Sequence, residues 1–111
     1  MAEGNIQTSY DYNVYSIATP NFTGDVKITT CDLVACIAGE IKATANISAY
    51  SVIASNIFVV PTRITDMLAY DQQGNITAAL FVDGDGLHTR TAIPSGTQIN
   101  FSGVFIFWRY L

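Results

Sequence analysis

Residues 67–87 read MLAYDQQGNITAALFVDGDGL, and this stretch decides the fold class. Gly74-Asn75 stands between two apolar runs, and Asp83-Gly84-Asp85-Gly86 stands between two more. Glycine takes positive φ at no steric cost and aspartate supports a tight turn through its side chain, so each cluster signals a β-hairpin. Between them Ile76, Ala78, Leu80 and Val82 alternate with other residues and form one face of a strand. A further turn is read at Pro94-Ser95-Gly96-Thr97, where Pro presets φ and Gly96 takes the left-handed position. Turn signals that recur about every 10–12 residues predict an all-β antiparallel fold. We expect a jelly-roll-like β-sandwich of about eight strands.

Outward from this stretch the same period continues. Residues 39–49, GEIKATANISA, alternate Ile41, Ala43, Ala45, Ile47 and Ala49 with polar partners, which predicts a half-buried strand over the whole segment. Residues 64–70 are too short for an independent helix and read as the strand entering the Gln72-Gln73-Gly74 turn. In residues 98–108 one face carries Ile99, Phe101, Gly103, Phe105 and Phe107. The other face begins with Asn100 and Ser102 and then turns apolar at Val104, Ile106 and Trp108. A strand apolar on both faces is covered on both sides, so these last three residues are expected at a subunit interface or under a loop. Residues 1–24 are less periodic and read as an N-terminal arm or a first strand, with the β-domain proper at 25–111.

The 111 residues are half apolar, and only 13% are charged, with a net charge of −4. Intrinsic disorder is excluded, since it needs low hydrophobicity and high charge. Nucleic-acid binding is disfavoured, because only five Lys and Arg residues are available to neutralise phosphates. No apolar run is long enough to span a bilayer as a helix, and MAEGNIQTSY does not read as a signal peptide. So few charges leave a hydroxyl-rich surface or one covered by further copies, and a homo-oligomer is the simpler reading.

Chemistry-bearing motifs are sparse. Cys31 and Cys36 have neither zinc nor thioredoxin spacing and are read as reduced thiols. Asp83-Gly84-Asp85-Gly86 resembles the start of a calcium loop but lacks its remaining ligands, so a hairpin turn is preferred. His88 is the one histidine, and with Arg90 it reads as part of a solvated strand or a binding face. The Asn-x-Ser/Thr sequons at Asn21, Asn46, Asn75 and Asn100 follow from a wet strand face rich in Asn and Thr. No nucleophile elbow, phosphate loop or metal cluster is recognised, and neither catalysis nor a cofactor or metal is expected.

The rhythm from Gly39 onward, GEIKATANISA, VVPTR, QQGN, ITAALFVDGDG and above all AIPSGTQINFSG over 92–103, resembles the C-terminal head domains of bacteriophage tail fibres and receptor-binding proteins. That resemblance implies a homotrimeric head at the virion tail tip, assembled in the bacterial cytoplasm. Its partners would be a host-surface saccharide and other tail proteins, with no nucleic acid and no membrane insertion. The long N-terminal shaft of such fibres has no counterpart here, so an excised head and a small standalone protein both remain open. The family carries no fixed binding motif. We therefore take Tyr10, Tyr12, His88, Arg90 and Trp108 as candidate ligand-binding residues and Val104, Ile106 and Trp108 as candidate interface residues. The alternatives are a capsid-decoration or tail-assembly subunit without a pocket, and a C1q-like trimeric module that binds protein.

Overall fold

The structure, a computed structural model, describes residues 12–110. Nine strands account for the described fold: β1 (Tyr12–Ile17), β2 (Phe22–Cys31), β3 (Val34–Ala43), β4 (Val52–Ser55), β5 (Val59–Pro61), β6 (Thr65–Tyr70), β7 (Ile76–Asp83), β8 (Gly86–Thr89) and β9 (Gln98–Tyr110). All pairings are antiparallel, in the order β1-β2-β3-β9-β6-β7-β8-β4, with β5 also on β9. The expected all-β class and strand number are therefore observed. The strands follow one hydrogen-bonded path, an antiparallel sheet nearly closed into a barrel-like shape.

Local chemistry accounts for the turns. Gly84 at φ 59° opens the two-residue loop that lets Asp83 pair with Gly86, which places the Asp-Gly repeat in a hairpin and not in a calcium loop. Gly96 sits at φ 89° in a turn closed by the Thr97 N–H donating to Pro94 O at 3.2 Å. Gly74 sits at φ 86° in the β6–β7 hairpin.

Strand β9 organises the sheet because its 13 residues exceed any single partner. One side pairs with β3 from Lys42↔Gln98 to Val34↔Ile106. The other side meets β6 at Tyr70↔Asn100 and β5 at Val59↔Tyr110, Val60↔Arg109 and Pro61↔Phe107. The far edges, β1 and β4, approach each other: the Tyr15 and Phe58 rings stack at 4.5 Å, and a recess between the edges is lined by Ile17, Val52 and Ile53.

The inner face forms the core. Ile28, Ile37, Ile41, Leu80, Val82, Leu87, Ile99 and Phe107 are fully buried there, each contributing about 1.5–3 kcal/mol of apolar transfer free energy. One reading of the sequence needs correction. The alternation at 39–49 belongs to a strand that starts at Val34 and stops at Ala43. Beyond it the Thr44 N–H donates to Asn21 O, the Asn46 side chain accepts from the Ser95 N–H, and Ile47 makes only an isolated bridge to Ile93. Of the two alternatives for residues 1–24, Tyr12–Ile17 forms a first strand of the sheet, and Gly24 lies inside β2.

Candidate functional site

Registers across β1, β2, β3 and β9 divide the outer face of the sheet in two. One row runs Val14, Thr29, Cys36, Val104, and the next runs Cys31, Val34, Ile106. The other end of the same strands is polar, with Asp25 opposite Glu40 and Glu40 opposite Asn100. The Lys27, Ala38, Ser102 row is the last of the polar half and borders the apolar one.

The polar half holds an open groove of about 720 Å³ that crosses four strands. Asp25 and Lys27 of β2 and Glu40 of β3 line one side, Leu68 and Tyr70 of β6 the other, and Asn100 and Ser102 of β9 lie between. Its existence depends on small residues. A Cβ on Gly24, at φ 105°, would run into the carbonyl oxygen of Glu40, so only glycine lets β2 lie this close to β3. A Cβ on Gly39 would meet Val26 Cγ2 at 2.8 Å and Phe101 Cε1 at 2.9 Å. The Tyr70↔Asn100 bridge sets the aromatic ring and the amide side by side, and Gln98 Nε2 donates to Asn100 Oδ1 at 2.7 Å. That bond fixes the amide with its NH₂ group available to the groove.

Beyond Tyr70 the chain turns on Asp71. Its Oδ1 accepts the backbone N–H groups of Asn75 and Gln73, both at 2.9 Å, and its Oδ2 accepts Asn75 Nδ2 at 3.3 Å. The Asn75 backbone bond leads in holding the Asp71 carboxyl below its ordinary value, and these bonds close the β6–β7 turn on the charged carboxylate.

Of the residues singled out from sequence, His88 and Arg90 come together on a different part of the sheet, around Phe81. The His88 ring stacks on Phe81 at 4.9 Å, and the Arg90 guanidinium lies 4.3 Å from the same ring centroid. Arg90 also donates from Nε to Asp66 Oδ1 at 2.9 Å, with its NH2 nitrogen at 2.8 Å from that oxygen. The phenyl ring and the guanidinium thus already have partners within the fold. Trp108 lies on β9, with β6 and β7 between it and the His88 strand in the sheet order, and the Arg109 guanidinium lies 4.7 Å from its ring centroid. Tyr12 begins β1, and Tyr10 lies outside the described residues. Val104, Ile106 and Trp108 are 66%, 57% and 59% exposed, and no loop among the described residues covers them.

Cys31 and Cys36 are free thiols on the same outer face, each half-buried. Cys31 pairs with Val34 and Cys36 with Thr29, which makes the cysteines diagonal neighbours. Such positions are about 7–8 Å apart, beyond easy disulfide reach. Among the described residues no group of three His, Cys, Asp or Glu side chains is placed to hold a metal.

The groove residues Asp25, Lys27, Glu40, Tyr70 and Asn100 were missed because no sequence motif joins them. The available signal was the wet start of β9 at Asn100 and Ser102, beside the charged end of β3 at Glu40 and Lys42. Comparison with protein-family models, with curated proteins and with solved structures gives no match to this chain.

Proposed function

We propose that this chain is a non-catalytic binding module that takes a neutral saccharide in the groove across β2, β3, β9 and β6. The observation that carries the reading is the convergence of Tyr70, Asn100, Asp25 and Glu40 on one open surface. Sugar hydroxyls donate to carboxylates in charge-assisted bonds, which are stronger than neutral ones, and accept from amide NH₂ groups. The apolar face of a pyranose ring packs on an aromatic side chain, and Tyr70 offers that surface. Two carboxylates in the groove repel acidic sugars, so the ligand class is neutral. The likeness of residues 92–103 to phage tail-fibre heads supports a host-surface saccharide as its source and the virion tail tip as its setting. In a homotrimer of the kind that likeness implies, three weak sites would act together through avidity.

The test is binding of the full chain to a printed array of neutral and acidic glycans, followed by titration of the best neutral hit. Tyr70→Ala and Asn100→Ala each weaken that binding about tenfold, or 1.4 kcal/mol. His88→Ala leaves it unchanged. An array that retains nothing, or a Tyr70→Ala variant that binds like the parent, contradicts the reading. The second reading, a structural virion subunit without a ligand, is favoured by the uncovered apolar half of the outer face. It predicts that the chain captures only copies of itself or other tail proteins.

A further inference from the structure

We infer that the apolar half of the outer face is where this chain packs against a second copy of itself. Val14, Leu33, Val34, Val104, Ile106 and Trp108 are all substantially exposed there. Neighbouring registers make the patch continuous across β1, β2, β3 and β9, and Cys31 and Cys36 fill its interior. From their fractional exposures these six side chains present on the order of 600 Å², the upper end of the largest patch on a typical monomer. That approaches the about 800 Å² per partner of a standard stable interface.

Three features select a copy of this chain as the occupant. First, the two central rows carry no charged side chain, so two copies meet there without like-charge repulsion, while Arg109 lies over the Trp108 ring and Arg63 lies in the recess beside Val104 and Ile106. Second, the face carries both a knob and a hole. Trp108 stands out from it, and two residues earlier Ile106 and Val104 line a recess of about 480 Å³ with Thr62, Ile64 and Thr65, and with Arg63 and Asp66, of opposite charge, also in its lining. Third, the polar half of the same face carries Asp25, Lys27, Glu40 and Lys42, which mark where the contact stops. The groove therefore stays open in the assembly. This inference does not rest on saccharide binding, because the two surfaces use different residues.

The experiment is size-exclusion chromatography with light scattering on the full chain over a dilution series into the high micromolar range. The parent has a mass that is a multiple of 12.0 kDa, and Ile106→Asp falls to 12.0 kDa with an unchanged far-UV circular dichroism spectrum. Val104→Lys is the second variant, should Ile106→Asp fail to fold, and it falls to the same mass. Lys42→Glu in the polar half keeps the parental mass. A parent that remains at 12.0 kDa throughout, or folded Ile106→Asp and Val104→Lys proteins that still assemble, overturns the inference. Monomers that co-sediment with phosphatidylcholine vesicles also overturn it, by giving the face to lipid.

Discussion

Thr30 is fully buried on the inner face of β2, and its hydroxyl is satisfied by the Tyr110 hydroxyl at 3.0 Å. The bond ties the end of β9 to a strand 80 residues earlier. Tyr110→Phe leaves the Thr30 hydroxyl buried without its partner and costs about 1–3 kcal/mol. Adding Thr30→Val removes the orphaned group and recovers most of that loss, as chemical denaturation of the single and double variants would read. Gly24 presents the opposite case, where a missing side chain is the requirement. Gly24→Ala forces β2 away from the Glu40 carbonyl at a positive-φ position and destabilises by more than 1 kcal/mol. It also moves Asp25 and so weakens any groove ligand. Neither residue was legible in the sequence as important. Their partners are distant along the chain, and nothing local in TGD or TTC announces a close approach.

Among the elements, the hairpins were the most legible, because their turn chemistry is local. Gly74, Gly84 and Gly96 all take the positive φ their positions require. The β6–β7 hairpin adds an electrostatic lock at Asp71, whose folded pKa lies below its ordinary value of 3.8. A depressed carboxyl pKa stabilises the fold fully above the ordinary value, and that contribution is lost as pH falls through the lower folded value. Thermal melts should therefore show the parent losing stability below pH 3.8, with a shallower dependence in Asp71→Ala, which lacks the lock at every pH. Equal pH dependence in the two proteins would refute the role of Asp71. The extent of β3 was less legible. Alternation in GEIKATANISA continues past Ala43, but hydrogen bonds from Thr44 to Asn21 and from Ser95 to Asn46 bend the chain out of the sheet. Both partners lie in other segments, so periodicity alone overran the strand.

For the whole molecule, alternation shows which side chains of a strand face inward, but not which strands become neighbours. The buried set of β9 was readable from Ile99, Phe101, Phe105 and Phe107, and so was its change from wet to apolar on the opposite face. The groove was not, because it exists only where β2, β3, β9 and β6 meet. The curled sheet explains how one outer face can carry two surfaces: β9 runs the length of both and sets the boundary near Ser102. The most direct test of that division uses the single tryptophan of the chain, Trp108, which is 59% exposed in the isolated subunit. Its fluorescence should be blue-shifted in concentrated solution, move to the red on dilution, and stay red at every concentration in Ile106→Asp. A red emission that does not change with concentration in the parent would contradict the account.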